Sequence, residues 1–167
     1  LIVFEIESDI EPFSEEYIQN LYLFSKEILT IDQTSYVYSY AHFDSSMSED
    51  EVIAFWDETD DENMTSEELQ MLNLQRNYHK DASIGEGVVM LVVGIEGDQS
   101  SVEAREVVRN IRALESKNLQ FDGEGDVHVA GIAAYNQDVL DAVAEKMPIA
   151  MAFILISSYI LIFLQVR

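Results

Sequence analysis

Apolar and polar positions follow three different periods along this chain, and each period marks a different kind of element. Leu1 to Glu7 (LIVFEIE), rich in Ile, Val and Phe, reads as a strand. Pro12 and Ser14 then introduce a helix, with Ser14 as N-cap and Glu15 and Glu16 in the first turn, where they complement the dipole. Tyr17, Leu21, Phe24 and Ile28 recur at helical spacing and form its buried stripe. Thr34 to Phe43 (TSYVYSYAHF) alternates, which predicts a strand with Tyr36, Tyr38, Tyr40 and His42 on one face. Val37, Ser39, Ala41 and Phe43 share the other. Gly87 to Ile95 (GVVMLVVGI) is almost continuously apolar, the pattern of a central strand covered on both faces. Ser100 and Glu103 have the spacing of a capping box, and Ala104, Val107, Val108, Ile111 and Leu114 line the helix that follows. The DGEGD turn at Asp122 to Asp126 leads into a short strand, Val127 to Ala130. Gly131 ends it, and Ala134 to Met147 is helical again.

Between the second and third strands the pattern changes. Residues 46–80 are acidic and helical, with capping boxes at Ser48/Glu51 and Thr65/Glu68. Val52, Ile53, Phe55 and Trp56 give the first short helix its apolar content; Leu69, Leu72 and Arg76 lie along one side of the second. Without this insertion the order is strand–helix–strand, twice. That predicts an α+β, ferredoxin-like split βαβ (βαββαβ) domain, with both crossover helices on one face of a four-stranded antiparallel sheet.

The last period is none at all. Ile149 to Leu164 (IAMAFILISSYILIFL) carries no charge, and its 16 residues span about 24 Å at 1.5 Å each. Met147, Pro148 and Val166 bring it close to the ~30 Å hydrocarbon core of a bilayer. The chain therefore divides into a domain at 1–147 and a truncated transmembrane helix at 148–167. Proline disfavours helical geometry in the residue before it and suits the first turn of a new helix. The two helices are thus expected to meet at a kink at Pro148, with Val139, Leu140, Val143 and Met147 packed on the domain.

Charge then orients the domain. All 32 acidic residues but only 8 of the 9 basic ones precede Pro148, a balance of −24 against −23 for the whole chain. Cytoplasmic flanks favour Lys and Arg, so an outer, extracytoplasmic location is expected. Such acidity argues against nucleic acid, which is bound by releasing counterions to Lys and Arg. It disfavours anionic headgroups for the same reason. Cysteine is absent, which removes disulfides, thiol nucleophiles and thiolate metal sites. No initiator Met or signal peptide precedes LIVFEIE, as expected of a segment from a larger membrane protein.

Few groups suggest chemistry. Asp57, Asp60, Asp61 and Glu62 lack the alternation, central Gly and distant Glu of a calcium loop, and read as a solvated linker. Asp122, Glu124 and Asp126 read as a polar turn. His42, His79 and His128 lie on different elements without metal-site spacing. Ser157, Ser158 and Tyr159 suit packing between membrane helices. Asn63-Met64-Thr65 is a glycosylation sequon. No nucleophile–base set or phosphate loop is present, so neither enzymatic activity nor a cofactor is expected.

The closing stretch, VHVAGIAAYNQDVLDAVAEKMPIAMAFILISSYILIFLQVR, resembles the end of an extracytoplasmic loop and the next helix in MMPL-type transporters of the resistance–nodulation–division (RND) superfamily. The matching residues are Val129, Gly131, Ala134, Asp138 and Pro148; Ala130 stands where the family usually has Gly. LYLFSKEIL at Leu21 to Leu29 and VEAREVVRNIRAL at Val102 to Leu114 resemble the family's two loop helices. The closing motif looks more like the second loop than the first. The resemblance implies the porter domain of a proton-driven exporter of hydrophobic or lipid-like molecules. Its partners would be the lipid bilayer, the remaining membrane bundle and a second porter domain. The proton-relay residues of that superfamily sit in central membrane helices outside this stretch. The alternative reading is an extracytoplasmic sensor domain of a membrane signalling protein.

Overall fold

The computed structural model describes residues 1–5, 11–59, 61, 64–118 and 127–166. The end of the first predicted strand, Asp60, Glu62, Asn63, the Asp122–Asp126 turn and Arg167 lie outside the described residues. The elements are β1 (Ile2–Glu5), α1 (Glu15–Leu29), β2 (Thr34–Tyr38), α2 (Glu49–Trp56), α3 (Ser66–Ser83), β3 (Ile84–Gly85), β4 (Val88–Ile95), α4 (Val102–Asn118), β5 (Val127–Val129) and α5 (Ile132–Val166). They form a mixed α+β domain with a helical insertion, from which one long apolar helix emerges.

The small sheet has the order β2-β4-β1-β5, and all its pairs are antiparallel. Ile2 faces Leu91 of β4 on one side and Val129 of β5 on the other. Because β4 separates β1 from β2, those two run parallel, and β4 and β5 likewise flank β1. Parallel strands cannot be joined by a tight turn, so each pair takes a helix, α1 or α4, as its crossover. Both helices converge on one face: Ile18, Leu21 and Ile28 of α1 and Val107 and Ile111 of α4 share a core with Ile2, Val89 and Leu91. Ser14 caps α1 by accepting from the Tyr17 N–H.

Three sequence expectations need correction. The second strand stops at Tyr38 and does not reach Phe43. Ser39 and His42 exchange backbone hydrogen bonds of 3.2 and 3.1 Å around Tyr40 and Ala41. Both turn residues are fully buried, and the Tyr40 hydroxyl donates to the Pro12 carbonyl. An aromatic that anchors a turn mimics strand alternation. β4 is covered on one face only: Val89 and Leu91 are buried while Met90 and Val92 remain half-exposed, since the crossover helices both lie on the Val89–Leu91 side. Ser101, not Ser100, caps α4, accepting from the Ala104 N–H at 3.1 Å.

The insertion is built into the core. Both of its capping boxes form, at Ser48/Glu51 and Thr65/Glu68. Val52 and Trp56 are buried in the main core, and the Trp56 indole N–H donates to the Tyr40 carbonyl at 2.9 Å. α3 continues past Lys80 into β3, a two-residue strand that pairs with the start of β4 through the turn at Gly87. His79 fixes α3 to the domain. Its ring stacks on Phe43 at 4.2 Å between centroids, and its Nδ1 lies 2.9 Å from the Tyr38 hydroxyl.

Candidate functional site at the root of the long helix

β5 ends at Val129, and the Ala130 N–H donates to the Leu1 carbonyl at 2.8 Å, so the chain holds its strand alignment to the last residue before the helix. Gly131 then takes φ +120, a conformation open essentially to glycine alone. Its carbonyl accepts from the Tyr135 N–H at 2.9 Å and starts α5. Small side chains set the packing here: Ala133 and Ala134 are buried against Ala104 and Val108 of α4, with Val129 and Ile95 alongside. Methyl-sized groups let the two helix backbones approach closely. One turn on, Gln137 is buried and its amide donates to both Asp141 carboxylate oxygens at 2.8 Å.

An ion pair completes the joint. Arg112 of α4 donates to both carboxylate oxygens of Asp138, at 2.6 and 3.2 Å. The guanidinium's hydrogen bonds, and secondarily its charge, hold the Asp138 carboxyl below the usual carboxylate range. Because the pair is largely solvent-accessible, it is worth ~1 kcal/mol or less. Its role is angular: a two-pronged contact fixes the rotation of α5 against α4.

Four of the five motif residues, Val129, Gly131, Ala134 and Asp138, thus meet in one joint. Pro148 lies outside it, about 15 Å farther along the helix by rise alone. α5 is one helix from Ile132 to Val166 with Pro148 inside it, so the expected boundary between two helices does not occur. The proline leaves the Ala144 carbonyl without its helical donor. Val139, Leu140, Val143 and Met147 were expected on the domain but are exposed, at 43, 42, 52 and 57 %. α5 has already left the domain after Gln137 and Asp138. From there it projects beyond the domain, and its uncharged part after Lys146 makes the helix long and apolar enough to cross a membrane.

The other candidates separate. His42 is buried and its Nδ1 meets the Val37 carbonyl at 3.0 Å; His79 sits in the aromatic cluster, and His128 is exposed on β5. Asp57 and Asp61 are committed elsewhere: Asp57 accepts from the Thr59 N–H, and Asp61 pairs with Arg76 at 2.6 Å. Arg76 is buried and also donates to the Phe55 and Asp57 carbonyls at 2.6 and 2.9 Å. A cation in the middle of the loop repels a metal ion there. Among the described residues, no three acidic, His or Cys side chains gather as metal ligands. Sequence reasoning missed Arg76 and Arg112 as anchors. Their partners lie 15 and 26 residues away, on other elements, beyond any local spacing rule.

Compared with protein-family models, with curated proteins and with solved structures, the chain matches none of them.

Proposed function

We propose that this chain is an extracytoplasmic porter domain and adjoining transmembrane helix of a proton-driven transporter of the RND/MMPL type, exporting hydrophobic or lipid-like molecules. The observation that carries the reading is the joint. Four of the five motif residues of the resemblance, Val129, Gly131, Ala134 and Asp138, bind α5 to α4 and the sheet edge. A ferredoxin-like split βαβ arrangement is supported by the strand order and the two crossover helices. The domain is taken as 1–147 and the membrane segment as 148–167. In this reading the domain has no catalytic role and no cofactor. It rocks against the bilayer and transmits that movement through α5 to the remaining helices and a second porter domain, where proton flow supplies the energy.

The test is export of a lipophilic dye from cells expressing the full-length protein. A protonophore should abolish export. A Gly-Ser spacer between Met147 and Pro148 should abolish it too, with expression unchanged. Dye efflux that ignores both treatments contradicts the reading. A flanking gene sequence encoding two spans and a cytoplasmic kinase would replace it with the sensor reading.

A further inference from the structure

Along the first half of α5 the carboxylates and the large apolar side chains take opposite sides. With about 100° of rotation per residue, Asp138, Asp141 and Glu145 lie on the side turned to α4, where Arg112 holds Asp138 and Gln137 holds Asp141. Ile132, Val139 and Val143 lie on the other side, 59, 43 and 52 % exposed, with Leu140 and Met147 exposed beside them. The domain does not cover this seam. Nor can lipid, because the carboxylates and Lys146 on the same stretch keep residues 132–147 out of hydrocarbon.

The seam has a heptad period. Ile132, Asn136, Val139 and Val143 follow one another at steps of four, three and four. The alternation runs on through Lys146 to Ala150, Phe153, Ser157, Ile160 and Leu164, and such a repeat keeps one seam facing a partner helix. Its chemistry matches a second copy. The seam carries no carboxylate, so two chains of net charge −23 approach along it without setting acid against acid. Copies inserted in the same orientation pair in parallel and in register. Asn136 then meets the same residue of the second copy, and each amide both donates and accepts. A single Asn at such a position specifies register and oligomeric state. Lys146, the one charged seam residue, turns its ammonium to Glu145 at 2.9 Å. Ala150 and Ser157 are small enough for close approach within the membrane. Pro148 falls on the far side of the helix, so its ring and missing N–H do not interrupt the seam. With its neighbours the seam engages about 20 residues a copy, the number a stable interface needs.

We propose that two copies of this chain pair in parallel along the Ile132–Leu164 seam of α5, as a left-handed coiled coil that begins outside the bilayer and continues through it. The pairing goes beyond the transporter reading. It needs α5 to cross a bilayer but involves no transport step, so the two can fail separately.

The chain has no cysteine of its own, so Val139→Cys, Val143→Cys and Glu145→Cys are made singly and oxidised with copper phenanthroline in membranes of expressing cells. A disulfide forms only where two Cα atoms come within about 7 Å. Val139→Cys and Val143→Cys should therefore give disulfide-linked dimers at least about tenfold faster than Glu145→Cys, on the far side of the helix. Adding Val143→Glu to Val139→Cys sets like charges face to face in the seam and should lower linking about tenfold. Position 143 is exposed in the single chain, so Val143→Glu should leave the domain's thermal midpoint unchanged. Two copies carrying different tags should also co-purify from detergent, and Val143→Glu in both should lower recovery about tenfold. That measurement decides the matter if a cysteine variant fails to express. Equal linking at Val143→Cys and Glu145→Cys, adducts with other proteins only, or linking and co-purification undiminished by Val143→Glu would overturn the proposal.

Discussion

Single side chains hold this domain at places where substitution has a calculable cost. Gly131 turns the chain from β5 into α5 at φ +120, with no heavy atom nearer than 3.9 Å to an added Cβ. The cost of Gly131→Ala is therefore backbone strain and not collision, about 1–3 kcal/mol, read as a lower urea midpoint. Arg76 is the larger case. Arg76→Met keeps the stem but strands Asp61 and two carbonyls, and should cost roughly 3 kcal/mol. Asp61→Asn, which retains a hydrogen-bond acceptor for the guanidinium, should cost distinctly less in the same denaturation series. Equal losses would show that the ion pair, and not the carbonyl contacts, holds the loop between α2 and α3. Neither anchor was visible in the sequence, where Arg76 looked like one member of a helix side and the acidic loop looked solvated. What a lone arginine pairs with depends on how elements meet.

At the scale of elements, α3 depends on the His79 contacts. Burial pushes the His79 imidazole below its ordinary value of 6.5. The folded state therefore favours the neutral ring, and between the two pKa values the unfolded chain binds more protons. Stability from this group is complete above pH 6.5 and falls as the pH drops through 6.5 toward the folded value. Hydrogen exchange across α3 should accelerate on going from pH 7.5 to 5.5, once corrected for intrinsic rates. His79→Phe, which keeps the stacking and cannot titrate, should flatten that dependence. Helices with strong local signals were legible. Ser14, Ser48 and Thr65 cap where they were expected, and the α1 stripe is buried as its spacing required. Strand limits were less so, because Tyr40 and His42 satisfy alternation while folding into a turn. β3 could not be foreseen, since two residues carry no period. At Pro148 the helix runs on in one piece: a proline removes one donor, and an otherwise strong helix tolerates that loss.

The whole molecule combines a strongly acidic domain with one long helix that is apolar beyond Lys146. Like charges at this density repel within the folded state, so raising salt from 20 to 300 mM, which shortens the Debye length, should raise the domain's melting temperature. A fall would mean that ion pairs such as Arg112–Asp138 outweigh the repulsion. The outline of this architecture was readable early, because an uncharged run after a mixed α/β pattern has few physical uses. The joint itself was only half readable: Gly131 and Asp138 stood out, but Arg112 did not. The most direct measurement uses the absence of cysteine. Gln70→Cys, exposed on α3, and Tyr159→Cys, exposed on α5, are each expressed in cells and treated with a membrane-impermeant maleimide. If α5 crosses the bilayer and holds the domain outside, Gln70→Cys labels in intact cells and Tyr159→Cys stays unreacted even after permeabilisation. Rapid labelling of Tyr159→Cys in intact membranes, or labelling of Gln70→Cys only after permeabilisation, would contradict it.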